Sequence, residues 1–283
     1  MKNPLISVVI PNHNYARFLP TTIESVLNQS TRNIDLIIVD NGSTDNSREV
    51  IASYKGELNA IYQEDRGQAS SRNTGLLHAK GDLVSFLDAD DYWESNKLEM
   101  QLEKLSDEYQ FIYTGLRRFD SDTGQTLNTI KPRYRDDCKL SFLNFPTTSI
   151  VPAGESSVLM TRALVSRVGG FNEKLNSATG RDFFRRCSNF TKFAYVDSEL
   201  VNYRIHNNNM SDNLKRMMRD TELAYELLFA DPEWKFASSY RRNCLTKLQW
   251  SHLKTNVKLR DFEGTIKSIE TLVNLKWVTR ANE

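Results

Sequence analysis

The first hundred residues of the chain alternate between two patterns of apolar residues. Runs of β-branched and other apolar residues predict buried strands at residues 6–10, 36–39, 60–62 and 83–87. In the intervals between these runs, apolar residues recur at helical spacing, which predicts three helices, the third closed by Gly81. Strands that alternate with helices in this way favour a parallel sheet with helices on both faces.

The rest of the chain divides into two further parts. Residues 108–211 have a less regular pattern, with predicted strands at 111–113 and 157–160. From residue 212 onward the apolar spacing is helical, and basic residues outnumber acidic ones near the end. We therefore predict a first part at residues 1–107, a second at 108–211, and a helical extension at 212–283.

Composition and charge argue against several classes of protein. The net charge is only +1, so a protein that coats nucleic acid is not expected. Cys138, Cys187 and Cys244 lie far apart without a CxxC pair, which argues against a disulfide framework or a zinc knuckle. No run approaches the roughly 18 apolar residues of a membrane span, and the N-terminal apolar stretch is too short for a signal peptide. We expect a cytoplasmic protein.

Three acidic residues follow the fourth predicted strand, in the sequence LVSFLDADDYW. In an open parallel sheet, ligands bind at the carboxyl ends of the strands. In an extended chain Asp88 and Asp90 point to the same side, and at about 5 Å and an effective dielectric of about 20 they repel by roughly 3 kcal/mol. A Mg²⁺ or Mn²⁺ ion carried with a phosphate substrate would relieve that repulsion. A solvated acidic turn, with Asp91 near a helix N-terminus, fits this pattern equally well.

Four blocks of the sequence resemble glycosyltransferase family two. They read SVVIPNHNYARFLPTTIESVLNQ, DLIIVDNGSTDNS, RGQASSRNTGLLHAKGDLVSFLDADDYW, and VGGFNE with a later YRIHNNNMS, and they lie in the family's order over residues 5–211. The resemblance implies the GT-A fold, which is α/β with a Rossmann-like, mostly parallel sheet. It also implies a nucleotide-sugar donor and a single displacement that inverts the anomeric centre.

The resemblance also implies a donor site, in which Asp88-Ala89-Asp90 is the DxD motif. The implied donor-binding residues are Pro11, Asn12, Asn14, Asp40, Arg72, Asp88, Ala89 and Asp90. Asp40 would hydrogen-bond the base, usually uracil or thymine, and Asp88 would contact the ribose. Asp90 would hold a divalent metal, Mn²⁺ or Mg²⁺, with His206 as a second ligand. A structural role for His206 is an equal alternative.

The resemblance places the catalytic base after the GGF block, where family members carry an acidic pair. Here the block reads VGGFNEKLNSATGRDFFRRC, and Asp182 occupies the base position with Arg181 in place of the usual Glu. An ordinary acidic residue near a helix N-terminus is the structural alternative for Asp182. The acceptor site is expected in the irregular region at about 108–180, where Glu155 and Ser156 are among several unranked polar candidates.

The predicted function is that of an inverting, metal-dependent, non-processive glycosyltransferase. It would move one sugar from a UDP- or dTDP-type donor to a glycan or lipid-linked acceptor. The alternative is a catalytically inactive nucleotide-sugar-binding homologue that serves as a scaffold. The sequence lacks both the phosphate loop of a sugar-nucleotidyltransferase and the QxxRW motif of a processive synthase.

The sequence is compatible with three roles for the helical extension. It could pack as part of the fold, form an oligomer, or bring the protein to the inner face of the plasma membrane as a peripheral contact. Nucleic acid is not an expected partner, because the net charge is close to zero.

Overall fold

The computed structural model describes residues 3–143, 150–207 and 213–277. The first strands and helices alternate as predicted: β1 (Ile6–Asn12), α1 (Leu19–Leu27), β2 (Ile34–Asn41), α2 (Ser47–Ser53), β3 (Asn59–Gln63), α3 (Gln68–His78) and β4 (Leu83–Phe86). The chain continues with β5 (Tyr92–Trp93), α4 (Lys97–Leu102), β6 (Phe111–Asp120), β7 (Thr126–Ile130), α5 (Lys139–Phe142), a 3-10 turn (Gly154–Ser157), β8 (Val158–Thr161), α6 (Arg162–Val168), α7 (Thr179–Cys187) and β9 (Phe193–Ile205). The C-terminal helices are α8 (Leu214–Ala230), a 3-10 segment (Pro232–Tyr240), α9 (Arg241–Lys258) and α10 (Phe262–Trp277).

Within the described ranges, the strands form one sheet in the order β3–β2–β1–β4–β8–β6–β9–β5, and β7 pairs with β6. Strands β1 to β4 pair in parallel, as the alternation of strands and helices predicts. Strand β8 runs antiparallel to both β4 and β6, whereas β6 and β9 are parallel. The sheet is therefore mixed rather than mostly parallel, because the irregular middle region returns along it in the opposite direction.

Strand β1 is apolar throughout because both of its faces are covered. Val8 and Ile10 are fully buried and belong to the same apolar cluster as Ile23 of α1. Val9 points to the opposite face, where helix α3 crosses so closely that a Cβ on Gly75 would lie 2.2 Å from Val9 Cγ1. A strand buried on both faces reads as a continuous apolar run, which is the pattern seen in the sequence.

The predicted end of the third helix at Gly81 is wrong. Helix α3 ends at His78, and its C-cap Ala79 has an extended backbone. Gly81 instead lies against the first strand, where a Cβ would stand 2.5 Å from the amide nitrogen of Ser7. The glycine is needed for close approach of two backbone segments rather than for a helix cap.

The chain divides into two compact units. The first lies within residues 1–138 and 150–209, and the second within residues 139–149 and 210–283. The second unit has its own buried residues, among them Trp234, Cys244 and Leu248. The described residues contain no helix with the length and apolar character of a membrane span. The boundary predicted at residue 107 concerns donor and acceptor roles and stays a prediction.

Candidate active site

A hydrogen-bond network joins the carboxyl ends of β1 and β2. The register places Asn12 opposite Asp40, and Asn12 Nδ2 donates to Asp40 Oδ1 at 2.9 Å and to Ser43 Oγ at 3.0 Å. Asp40 is fully buried, and Arg48 Nε lies 3.4 Å from its other oxygen. Asn12 Oδ1 is also buried and has no hydrogen-bond partner among the described residues. Buried polar atoms are normally paired, so this one indicates a place for a ligand or a water molecule.

Asn14 ties the loop after β1 to the loop after β2. Its backbone is left-handed, with φ of 61°, a conformation that Asn tolerates better than most residues. Its Oδ1 accepts hydrogen bonds from the amides of Thr44 at 2.7 Å and Asp45 at 3.3 Å. Pro11 is a buried residue of β1 that pairs with Val39 in register. The structure thus brings the predicted residues of the first strand and Asp40 to one edge of the sheet.

Asp88 forms an ion pair with the buried Arg72 at this edge. Arg72 Nη2 lies 2.6 Å from Asp88 Oδ1, and the arginine side chain is 1% exposed. The same guanidinium reaches the Glu155 carboxylate, with Nη1 3.3 Å from Oε1. Burial raises the pKa of Asp88 to about 6, since it outweighs the opposing effect of Arg72, and the charges of Glu155 and Asp90 add to the rise.

Asp91 is a structural anchor of the turn and caps no helix. It is buried, and its two oxygens accept hydrogen bonds from the Arg204 amide at 3.1 Å and from Ser156 Oγ at 2.9 Å. The amide of Asp88 donates to the same Ser156 hydroxyl at 3.1 Å. Burial and the charges of Asp90 and Asp88 raise the pKa of Asp91 well above its usual range. Ser156, one of the unranked candidates, therefore fixes the acidic turn.

Of the three acids in the turn, Asp90 is the one that contacts His206. His206 Nε2 lies 3.1 Å from Asp90 Oδ2, and the two side chains are 8% and 14% exposed. The rings of Phe18 and Tyr15 lie 4.8 Å and 5.8 Å from the imidazole. The neighbouring Ala89 is buried, and its carbonyl oxygen accepts a hydrogen bond from a buried threonine on α1. Asp90 and His206, far apart in sequence, are thus close in space, and their role as metal ligands stays a prediction.

Arg204 is a residue of the candidate site that was not predicted from the sequence. Its Nε donates to the carbonyl oxygen of Asp90 at 2.8 Å, and its guanidinium stacks on the ring of Phe18 at 4.7 Å. Burial lowers the pKa of this arginine. The signal that was available is its position two residues before His206 in the block YRIH, since alternation along a strand places both side chains on one face.

The residues around Asp90 fit a divalent cation only with help from a substrate. The described residues contain no group of three or more His, Cys, Asp or Glu side chains that could hold a metal by themselves. Asp90 and His206 supply one carboxylate and one imidazole at hydrogen-bond distance from each other. Mg²⁺ and Mn²⁺ sites often take only one or two protein ligands and complete their shell with phosphate oxygens and water. The donor set is compatible with that arrangement.

Asp182 lies on α7 and is held by two arginines of the same helix. Arg185 Nη2 lies 3.0 Å from Oδ1 and Arg186 Nε lies 2.9 Å from Oδ2, while the carboxylate is 1% exposed. Arg186 also donates to the carbonyl oxygens of Val168 and Gly170, at 2.8 Å and 2.7 Å. Both oxygens of the predicted base are therefore engaged in ion pairs, and the base role of Asp182 stays a prediction that this geometry does not favour.

Solved structures of glycosyltransferases share this fold. The S. aureus TarS 1–349 structure in complex with UDP-GlcNAc superposes with a TM-score of 0.72 at 15% identity, over 96% of this chain and 81% of that one. The mannosyltransferase PcManGT from Pyrobaculum calidifontis, in complex with GDP-Man and Mn²⁺, gives a TM-score of 0.64 at 16% identity, over 96% and 81%. The predicted α/β fold of GT-A type is confirmed.

The sequence comparisons then identify the family. The model of glycosyl transferase family 2 matches residues 7–167, and the chain belongs to that family, as predicted. It is 29% identical to the putative teichuronic acid biosynthesis glycosyltransferase TuaG of Bacillus subtilis, over 86% of this chain and 97% of TuaG. It is 30% identical to the uncharacterized glycosyltransferase RP339 of Rickettsia prowazekii over 72% of this chain, an alignment that spans just 65% of that relative.

Proposed function

We propose that the protein is an inverting, metal-dependent, non-processive glycosyltransferase. It moves one sugar from a nucleoside-diphosphate sugar to a hydroxyl of a glycan or lipid-linked acceptor, in the assembly of a cell-envelope polysaccharide. The observation that carries the proposal is the convergence of Asp90 with His206, 3.1 Å apart, on the turn where Asp88 meets Arg72. The orphaned Oδ1 of Asn12 on a neighbouring strand of the sheet supports a ligand at this edge.

In this proposal Asp90 and His206 hold a Mn²⁺ or Mg²⁺ ion. A carboxylate together with an imidazole nitrogen suits Mn²⁺ better than Mg²⁺, because Mg²⁺ prefers oxygen ligands. When bound, such a cation stabilises the negative charge that develops on the leaving diphosphate. The Pyrobaculum mannosyltransferase, a complex with GDP-Man and Mn²⁺, supports the proposal by likeness of fold. Asp88 contacts the ribose, and Arg72 holds Asp88 in place.

The donor we favour carries uracil or thymine. Asp40 lies at the carboxyl end of β2 beside Asn12, and its Oδ2, which the exposed Arg48 approaches only to 3.4 Å, can accept the imide N–H of either base. The exposed ring of Tyr62 lies near the Arg48 guanidinium, 5.4 Å from its centroid, and offers a surface against which a base can stack. The UDP-GlcNAc complex of TarS supports a uridine donor by likeness of fold.

A second candidate is an inactive homologue that binds nucleotide sugar and serves as a scaffold. The ion pairs of Asp182 favour it, because arginines hold both oxygens of the predicted base and its side chain is only 1% exposed. Such a protein would bind nucleotide and release none from a nucleotide sugar. Turnover therefore separates the two candidates.

Release of nucleotide from a panel of donors tests the proposed activity. The panel contains UDP-glucose, UDP-N-acetylglucosamine, dTDP-glucose and GDP-mannose, with water as acceptor and with Mn²⁺ or EDTA present. We expect release of UDP or dTDP that depends on Mn²⁺ and falls at least about 100-fold in Asp90→Asn, as for loss of transition-state charge stabilisation. Binding without release from any donor would favour the scaffold, and neither binding nor release would reject both candidates.

We also propose that the protein is cytoplasmic and contacts the membrane through its second unit. Four apolar side chains of α10 are exposed at helical spacing: Phe262, Ile266, Ile269 and Val273. An apolar helix face of this kind can enter the boundary between lipid headgroups and acyl chains. The same face could instead pair two copies of the chain.

Sedimentation with vesicles of anionic phosphatidylglycerol tests the membrane contact. The triple variant Phe262→Ser, Ile266→Ser, Ile269→Ser is expected to lose co-sedimentation, because it loses the apolar area that lipid would cover. Leu77→Ser is the matched control, since Leu77 is an exposed apolar residue of α3 in the other unit. Equal sedimentation of the triple variant would contradict the proposal, and a monomer–dimer shift measured without vesicles would assign the face to self-association.

A further inference from the structure

We infer that Glu155, rather than Asp182, is the carboxylate that accepts the proton of the attacking hydroxyl. The inference rests on the proposed function and names a residue for a step in it. Glu155 lies on the 3-10 turn before β8, and neither the family resemblance nor the comparisons assign it a role. Three observations carry the inference: the engagement of Asp182, the position of the Glu155 carboxylate, and the glycine that makes room for it.

The first observation is that Asp182 cannot reach a substrate without breaking its own contacts. A general base needs to lie within about 2.6–3.2 Å of the proton that it takes, directly or through one water molecule. The Asp182 carboxylate is 1% exposed, and arginines of its own helix contact both of its oxygens. Arg186 is fixed in turn by two carbonyl oxygens. This geometry is that of a structural ion pair inside the first unit.

The second observation is that Glu155 is directly coupled to the donor site. Its Oε1 accepts a hydrogen bond from Thr179 Oγ1 at 2.7 Å and lies 3.3 Å from Arg72 Nη1. The other end of that guanidinium holds Asp88 at 2.6 Å. The Glu155 side chain is 12% exposed, and no hydrogen bond to its Oε2 is found within residues 3–143, 150–207 and 213–277. One oxygen is therefore fixed by these contacts, and in this inference the other takes the proton of the incoming hydroxyl.

The third observation is that Gly180 makes room for this carboxylate. A Cβ on residue 180 would lie 2.6 Å from Glu155 Cδ and 2.7 Å from its Oε2. Any side chain at that position would displace the Glu155 carboxyl group. The Glu155 carboxylate thus lies against the first turn of α7. The same turn carries Asp182, and the resemblance places an acid there. Glu155 supplies from another segment of the chain a carboxylate that the helix itself does not present.

The chemistry of the transfer requires one base and one departing group. The acceptor oxygen forms a bond to the anomeric carbon while the bond from that carbon to the phosphate oxygen breaks, and its electron pair leaves with the nucleoside diphosphate. The proton of the hydroxyl passes to Glu155. Arg72 is a positioning residue in this account, because it fixes the Glu155 carboxylate and the Asp88 carboxylate with one guanidinium.

Donor hydrolysis by Glu155→Gln, Glu155→Ala and Gly180→Ala tests the inference, using the donor of the panel that the wild type turns over fastest. Glu155→Gln keeps the volume of the side chain and an acceptor for Thr179, and is expected to lower kcat at least about 100-fold with little change in KM. Gly180→Ala is expected to lower kcat as well, although it removes no carboxylate. Glu173→Gln is the control, since Glu173 is an exposed carboxylate between Gly170 and α7.

Rescue by azide distinguishes loss of a general base from a structural defect, because azide does not repair a disturbed fold. Azide ion needs no deprotonation, so it is expected to restore nucleotide release in Glu155→Ala and to form a glycosyl azide. Nucleotide release within threefold of wild type in Glu155→Gln would overturn the inference. So would a failure of azide to restore release in a Glu155→Ala protein that still binds UDP with Mn²⁺. Absence of turnover in the wild type would reject the proposed function itself, and this assignment with it.

Discussion

Replacement of Arg72 by Met is expected to lower the free energy of unfolding by about 3–5 kcal/mol, the range for breaking a buried ion pair by removal of one partner. The Arg72 side chain is 1% exposed and lies between the carboxylates of Asp88 and Glu155, at 2.6 Å and 3.3 Å. Met fills much of the same volume, but it leaves two carboxylates close together without a counter-charge. Urea denaturation measures the change as a lower midpoint with an unchanged slope.

The control for this prediction is an exposed arginine of the same unit. Arg17 pairs with Asp122 at 3.4 Å, and both side chains are more than two-thirds exposed. Arg17→Met is expected to change stability by no more than about 1 kcal/mol, because water screens exposed pairs. The triple variant Arg72→Met, Asp88→Asn, Glu155→Gln should recover part of the loss, since it removes both unpaired carboxylates. An effect of Arg72→Met no larger than that of Arg17→Met would show that the triad of charges is not formed.

The substitution Asp182→Asn is expected to destabilise the protein by about 3 kcal/mol, at the low end for a broken buried pair. The amide of Asn can still accept one hydrogen bond, but it cannot neutralise Arg185 and Arg186, whose side chains are 5% and 21% exposed. Nucleotide release per folded molecule is expected to stay within threefold of wild type, because Asp182 does not touch the substrate in this account. Urea denaturation and donor hydrolysis on the same preparation measure both quantities.

The opposite pattern would restore the role that the sequence predicts for Asp182. A variant with wild-type stability and without turnover would identify Asp182 as the base, and it would reject Glu155. Asp122→Asn is a suitable control, because Asp122 is exposed and lies far from α7 in sequence. Neither its stability nor its turnover should change.

The first half of the fold could be predicted from the sequence, because its strands and helices are each specified by local patterns of apolar residues. Each of the first four strands carries its own apolar run, and each intervening helix carries its own spacing, so no long-range information is needed. The antiparallel return of β8 between β4 and β6 has no such local signal, because its four residues read like any other short apolar run. The mixed character of the sheet therefore appears only in the structure.

The candidate site also contains residues that the sequence could predict and contacts that only the structure shows. The acids of LVSFLDADDYW could be located from sequence because they end a strand, and His206 could be placed beside them by the family's block order. The contacts of Glu155 with Arg72 and Thr179 join three segments that no spacing rule connects. Asp182 was chosen from its position in a block, although the helical spacing of Arg185 and Arg186, three and four residues further on, already indicated ion pairs with it. The assignment of a base depends on those three-dimensional contacts.

In the proposed function, the turn at Asp88-Ala89-Asp90 and the ends of the first two strands form a donor site with a metal. Thermal unfolding of the wild type and of Asp90→Ala with UDP, dTDP or GDP, each with Mn²⁺ or EDTA, tests this donor site. A ligand that binds only the folded protein raises the melting temperature with its occupancy. Asp122→Ala provides the control for a surface carboxylate.

We expect a rise in melting temperature with UDP or dTDP that requires Mn²⁺, persists in Asp122→Ala and is absent in Asp90→Ala. A rise that is the same in Asp90→Ala would contradict the proposed metal ligand. A melting temperature unchanged by every nucleotide would contradict the donor site as a whole, and the acidic turn would then be a structural feature held by Ser156 and Arg204.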